Sequence, residues 1–412
     1  MRIPIFTTLA ASTFALTLTS AEPTTYFKGN THAHSLWSDG NDFPEMVVDY
    51  YHRQGYDFAT LSDHDTLAEG YKWMSLQEIE KRQQVAGIGA LEKYRARFGD
   101  EWITWKTVKG EPGVVLKTLE SFRRQFEVPG KFLILKAEEI SNLSESGPVH
   151  MNALNLEHLI PPVKDETRST VDIMREILRA AARQEEALGQ PILTHLNHPN
   201  FRWAVTAEDL AAVVEEQFFE VFNGHPGTNQ LGSDAAPSVE MIWDIANTIR
   251  IARLHEAPLF GVATDDSHYY HGGTVSPGKG WIMVAATELT SNALIHAMRA
   301  GEFYASSGVS LHTVRYDHAT RVIEIEINPG TDTEATFVGE LIGTRVDHDF
   351  SATTGKGRVG EVLATQQGRK QRFEVPSDAL YARVTITSSQ AHENPSWDGQ
   401  TKQAWTQPVG WR

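Results

Sequence analysis

The 412-residue chain contains no cysteine. That absence excludes disulfides, thiolate nucleophiles, cysteine-ligated zinc, iron–sulfur clusters and a lipoprotein cysteine, while leaving the redox compartment open. Basic residues are in deficit: 37 Lys and Arg stand against 53 Asp and Glu, a formal charge of −16. So acidic a chain has no general electrostatic grip on nucleic acid polymers or on an anionic membrane. Taken alone, the same charge also speaks against a phosphorylated substrate. Apolar runs of membrane-spanning length are missing too. The rest of the composition, 41% hydrophobic and 22% charged, is that of a globular protein, and the length allows two or three domains with a sizeable core.

What is present begins at the N-terminus. Met1-Arg2, an apolar stretch from Ile3 to Leu18, and the small residues of Thr19-Ser20-Ala21 before Glu22-Pro23 form the pattern of a signal peptide, here residues 1–21, cleaved after Ala21. The stretch is diluted by Thr and Ser and falls short of the roughly 20 apolar residues that a span requires. The mature chain is expected to be exported, periplasmic or secreted, with no membrane contact after cleavage.

From Tyr26 onward, short apolar runs alternate with helical patterns, as in β-α-β units around a parallel sheet. Strands are expected at 26–31, 57–61, 132–137, 149–156, 191–196, 218–222, 259–263 and 281–285. Pro44 and Gly55 bound the first helix. Ser169 and Gly189 bound another, whose Val171, Ile173, Met174, Ile177, Leu178 and Ala181 make one apolar stripe. Seven or eight such strands suggest a barrel over residues 22–305. Residues 71–130, charged and aromatic, interrupt the rhythm and read as an inserted helical cap. In the last stretch, 306–412, Ile323, Ile325 and Ile327 alternate with Glu324 and Glu326, which predicts a small antiparallel β-domain.

Histidine is the polar residue that stands out, with 17 copies. His32-Ala33-His34, Ser38-Asp39-Gly40, Ser62-Asp63-His64-Asp65, Glu138-Glu139-Ile140-Ser141, His195-Leu196-Asn197-His198-Pro199 and Asp265-Asp266-Ser267-His268 all fall at or just beyond the C-terminal ends of expected strands, and His150 lies within one. Any one motif is close to what chance produces. Their shared placement is not, because strand C-termini of a β/α barrel converge on one mouth. Imidazole and carboxylate are ligands for zinc, manganese or iron. Nine of them exceed the needs of one ion, and two or three ions about 3.5–4 Å apart fit better.

These ordered motifs resemble those of the polymerase and histidinol phosphatase (PHP) superfamily, over about residues 26–305. The resemblance implies a distorted (β/α)7 barrel binding up to three divalent metals. It implies as ligands His32, His34, Asp39, His64, Glu139, His150, His198, Asp266 and His268. Glu139 is preferred to Glu138 because it precedes Ile-Ser, and Asp266 to Asp265 because it stands two before His268.

Four further residues are candidates. His195 reads as a proton donor to the leaving group or as a support behind a ligand, with simple packing as the alternative. His225, in Asn223-Gly224-His225, is a second candidate catalytic group on a substrate-facing loop or a turn. Asn223 and Arg202 are candidate substrate-binding residues, while the Arg and Lys of the cap read as a solvated helix face.

Divalent ions at such a site would lower the pKa of a bound water and supply hydroxide. The expected function is an exported phosphoesterase acting on a small phosphomonoester. The same chemistry would serve a carbamate or carboxylic ester hydrolase, and a third reading is a non-catalytic protein binding a glycan or a partner.

Overall fold

The computed structural model describes residues 25–83, 89–345 and 358–411. The expected signal peptide, residues 1–21, lies outside them. Among the described residues no helix is long and apolar enough to cross a membrane.

The fold opens with β1 (Thr25–Asn30), α1 (Pro44–Arg53) and β2 (Phe58–Leu61), with β2 parallel to β1. Pro44 sits in the first helical turn, where its missing N–H has no partner to lose, and Gly55, at φ +71°, carries the chain away from the helix end.

The insertion follows as β3 (Trp73–Ser75), α2 (Leu76–Arg82), α3 (Ala90–Phe98), β4 (Thr104–Val108), β5 (Glu111–Val115) and α4 (Leu119–Phe126). It is not the purely helical cap expected. Three antiparallel strands in the order β3-β5-β4 join its helices. Lys109 and Gly110 both have positive φ, the backbone a two-residue hairpin turn requires. Four of the five β4 residues are exposed, so no apolar alternation marks the strand. Ile79, Tyr94, Phe122 and Phe126 of the insertion share one core with Val47, Val48 and Tyr51 of α1.

The chain continues through β6 (Leu133–Ser144), β7 (Gly147–Leu154), α5 (Thr170–Leu188), β8 (Leu193–Leu196), α6 (Ala207–Ala212), β9 (Phe218–Asn223), α7 (Val239–Ile249), β10 (Phe260–Thr264), β11 (Trp281–Ala286), α8 (Ser291–Arg299) and β12 (Phe303–Ser306). Ser169 caps α5 by accepting from the Asp172 N–H, and the expected stripe faces inward. Strands lie in the order β10-β9-β8-β7-β6-β2-β1. All neighbours in this run are parallel except β7, which is antiparallel to both β6 and β8. Only Glu145 and Ser146 separate β6 from β7, a hairpin length, whereas a parallel crossover needs a dozen or more residues. The closed seven-stranded ring expected is also not drawn by hydrogen bonds among the described residues. The far side of β1 is taken by antiparallel β11, and β10 meets β11 and β12 through side chains such as Phe260, Ile282 and Phe303.

The C-terminal region is β-rich, as expected: β13 (Leu311–Asp317), β14 (Val322–Ile327), β15 (Phe337–Arg345), β16 (Glu361–Gln367), β17 (Lys370–Glu374), β18 (Ala379–Ala391) and β19 (Thr401–Thr406). Ile323, Ile325 and Ile327 are buried and Glu324 is exposed. The sheet, however, has no break near residue 306. Antiparallel β19 pairs with β12, so β19, β18, β15 and β16 extend the main sheet to thirteen strands, while β13, β14 and β17 form a separate sheet. Trp405 stacks on Phe222 at 5.7 Å between ring centroids, and the Gln407 amide bonds both N–H and C=O of Gly261 at 2.9 Å. Residues late in the chain thus complete the core against β9 and β10.

Candidate metal centre

Backbone bonds draw the strand-end motifs together before any side chain is considered. His34 N donates to Ser267 O and Asp266 N to His32 O, lacing the first motif to the last. Asp65 N donates to Glu139 O, and Asn197 N to His150 O. The Ser38-Asp39-Gly40 loop folds back on the first motif, where a Cβ on Gly40 would stand 2.6 Å from the His34 carbonyl. Asp63 fixes this loop, accepting from Ser35 N and Oγ at 2.8 and 2.7 Å and from Ser38 Oγ at 2.6 Å.

At the centre, Glu139 Oε2 lies 3.1 Å from His32 Nε2, 3.1 Å from His34 Nε2 and 3.2 Å from His64 Nδ1. Its other oxygen is 3.0 Å from His150 Nδ1 and 3.3 Å from His198 Nε2. Asp266 Oδ1 is 3.3 and 3.2 Å from the same nitrogens of His32 and His34. Asp39, the exposed member at 56% of its side chain, stands 3.6 Å from His34 and His64 and 3.4 Å from His268. All nine expected ligands are thereby brought to one mouth. Three overlapping groups, His34-Asp39-His64-His268, His32-His34-Glu139-Asp266 and His64-Glu139-His150, each place their ligand atoms within 4.8 Å of one another. His198 and Asp266 hold left-handed backbone, at φ +23° and +47°, a strain of order 1–3 kcal/mol per residue that clusters at functional sites.

Within β6 the pleat separates Glu138 from Glu139, since strand neighbours point to opposite faces, whereas Asp265 and Asp266 lie just past β10. Glu138 faces away, accepting from Ile160 N at 2.7 Å, and burial raises its pKa to about 8. Asp265 accepts from the N–H groups of Gly278, Lys279 and Gly280 and from Tyr51 Oη, tying down a loop.

Behind the ligands lies a carboxylate that sequence reasoning missed. Glu220 of β9 accepts from His32 Nδ1 at 2.7 Å, His198 N at 2.8 Å, Asn223 Nδ2 at 2.7 Å and Thr264 Oγ1 at 2.7 Å. It fixes the His32 ring so that Nε2 faces the cluster. A lone Glu within the wholly buried run Phe218–Asn223 was the available signal, because a buried charge needs partners. Asn197 likewise donates to Glu139 at 2.9 Å, and Ser141 Oγ lies 2.7 Å from His64 Nδ1.

The electrostatics describe a site built around positive charge. Burial opposes protonation of His34, but the adjacent carboxylates of Asp266 and Glu139 lift its pKa to about 10; Asp266 and Glu139 also raise that of His32. Burial works against ionised Glu139 and Asp266, yet the surrounding imidazoles hold both well below the carboxylate range. A metal would need the lone pairs of rings whose neighbouring carboxylates favour protonation, so loading should release protons. Titrating zinc into chelated protein at pH 7.5 should give a heat that varies with buffer ionisation enthalpy. A buffer-independent heat would contradict this arrangement.

The four remaining candidates separate. His195 is fully buried, neither ring nitrogen has a hydrogen-bond partner, and burial lowers its pKa to about 4. It does not line the cavity that His225 faces, a position that suits packing or support behind a ligand better than contact with substrate. Asn223 is also buried, its amide nitrogen donating to Glu220 and Asp266 and its oxygen accepting from His225 N, so it supports a ligand rather than facing substrate. Arg202 is exposed at the rim, stacked at 5.6 Å on Phe201, whose ring packs against His198 and His150. His225 faces a cavity of about 450 Å³ lined also by Asp39, His268, Tyr269, Val275 and Arg82. Arg82, from α2, is a cavity-lining residue that the reading of the cap as a solvated face did not anticipate.

No family model and no curated protein matches the chain. Among solved structures it is similar to a two-domain protein of Bacteroides vulgatus containing a predicted PHP-like metal-dependent phosphoesterase, at 15% identity and a TM-score of 0.40, covering 97% of this chain and 99% of that one. PsfC of Pseudomonas syringae matches at 10% identity and 0.33, over 66% of this chain and 88% of that chain. A candidate metal-dependent phosphoesterase of Bifidobacterium adolescentis matches at 13% and 0.30, over 66% and 94%.

Proposed function

We propose that the chain is an exported, PHP-type metal-dependent phosphoesterase acting on a small phosphomonoester with two or three divalent ions of manganese, zinc or iron. One observation carries the reading. His32 Nε2, His34 Nε2 and Glu139 Oε2 are buried, without hydrogen-bond partners, and turned on one another. Native proteins rarely leave buried polar atoms so, and this donor set of imidazole and carboxylate suits a divalent cation. Bound ions would supply an activated water and neutralise the non-bridging oxygens of a phosphoryl group.

The chain's own residues do the rest. Glu220, Asn197 and Ser141 hold ligand side chains in place. His225 Nδ1 accepts from Gly227 N at 2.9 Å, which leaves Nε2 as the hydrogen donor; burial lowers its pKa, so the ring is neutral. From the cavity wall, which His195 does not reach, it is suited to donate a hydrogen bond to the leaving oxygen. The charge of −16 is no obstacle here, because two or three divalent ions outweigh Asp39, Glu139 and Asp266 locally.

The reading is tested by chelating the purified protein, reloading it with manganese, zinc or iron, and assaying p-nitrophenyl phosphate beside p-nitrophenyl acetate. Phosphate ester hydrolysis restored by metal is expected. Turnover of the acetate alone would replace this reading with a carboxylic ester hydrolase.

A further inference from the structure

The insertion reaches the candidate centre at adjacent carbonyls. Lys72 Nζ donates to Trp37 O, and Arg82 Nη1 to Ser38 O, the two residues that precede Asp39. Arg82 Nε also bonds Glu78 Oε1 at 3.1 Å, one turn earlier on α2. Its side chain is 24% exposed and lines the cavity shared with Asp39, His225 and His268. Among the described lining residues it is the sole Arg or Lys. A guanidinium carries five N–H donors in a planar fork, and Glu78 and Ser38 account for two. A cation held half-buried at the mouth of a site, beside its most exposed ligand, has more donors than Glu78 and Ser38 use among the described residues.

We propose that Arg82 is the substrate-recognition residue of this cavity, binding an anionic oxygen of the phosphoryl group and selecting phosphomonoesters over neutral carboxylic esters. The proposal rests on the phosphoesterase reading above. A planar fork matches phosphate oxygens two at a time, whereas an ammonium meets them as a point charge. A neutral ester offers such a fork only a weak acceptor. The inserted segment thereby acquires a chemical purpose: it delivers the cation that strands β1 to β11 do not place in this cavity.

The test uses full-length metal-loaded protein and inorganic phosphate as the probe, with binding measured by calorimetry and by inhibition of p-nitrophenyl phosphate turnover, and metal content measured alongside. In Arg82→Ala, phosphate affinity should fall roughly 10- to 100-fold, as expected for a lost charge-assisted pair, and KM should rise in parallel. Metal content should stay at the wild-type value and kcat should change less than KM. Unchanged phosphate affinity with metal retained would overturn the proposal. If Arg82→Ala loses metal, Arg82→Lys decides: metal retained with phosphate affinity at least fivefold weaker supports recognition by the fork, and wild-type affinity overturns it. Loss of metal in both variants would assign Arg82 to holding the Asp39 loop and also overturn it. Wild-type protein that holds metal yet binds no phosphate would refute the phosphoesterase reading itself, before any variant is compared.

Discussion

Glu139→Gln is expected to strip the centre of metal and to lower turnover by roughly 1,000-fold or more, which corresponds to about 4 kcal/mol of transition-state stabilisation. One oxygen of Glu139 meets His32, His34 and His64, and the other meets His150, His198 and Asn197. It belongs to two of the three ligand groups. An amide in its place keeps one acceptor and turns an NH2 group toward imidazole nitrogens. Partners behind metal ligands already cost 10- to 100-fold when removed, so a shared ligand should cost more. Metal analysis of the purified variant is the direct check, and full metal occupancy would show that the centre is organised around another residue.

The adjacent Glu138→Gln serves as the control. With its pKa raised to about 8 by burial, Glu138 is mostly protonated at pH 7, and glutamine imitates the protonated acid. Folding takes up a proton here between the unfolded value near 4.5 and about 8, so wild-type stability declines as pH rises through that interval. The variant should match wild type in metal content and be the more stable of the two at pH 9.

The second large effect lies far from the centre. Asp244 of α7 receives Arg383 of β18 in a bidentate pair, at 3.0 Å from Nε and 2.7 Å from Nη2, and also accepts from Tyr381 Oη at 2.7 Å. Both side chains are almost wholly buried. Asp244→Ala should destabilise the protein by about 3–5 kcal/mol, because it removes the bidentate partner of a buried guanidinium and leaves it only Glu240, 3.3 Å from Nη1. Chemical denaturation measures this directly. The paired replacement Asp244→Leu with Arg383→Met should recover most of the loss, since neither charge is then stranded. A single-variant loss below about 1 kcal/mol would mean that α7 and β18 are not coupled as described. The pair also bears on the C-terminal region. With β19 inserted beside β12 and Trp405 in the core, removal of residues 306–412 would expose the main sheet.

The signals legible in sequence were local ones. Pro44, Gly55, Ser169 and Gly189 are start and stop chemistry acting within a turn of the residues they affect. His32 to His268 were found because each ligand sits in a short motif at a strand end, where β/α architecture gathers side chains. What escaped notice depended on distant partners. Glu220 looks like any acid until His32, His198 and Asn223 are seen around it. Arg82 looks like one charge on a solvated helix until the Ser38 carbonyl is found against it. The β4 strand carried no pattern because most of it faces water.

By itself the sequence determined that imidazoles and carboxylates gather near strand ends in a pattern suited to divalent metal binding, with the nine expected ligands implied by the resemblance to PHP motifs. Tertiary structure decided which carboxylate of each adjacent pair faces inward, which histidine meets the cavity, and that the last strands complete the first sheet. The physical reason is range. Capping, turn and pleat preferences act over a few residues, whereas burial, charge pairing and strand order are fixed by groups as far apart in the chain as His32 and Glu220, Asp244 and Arg383, or Gly261 and Gln407.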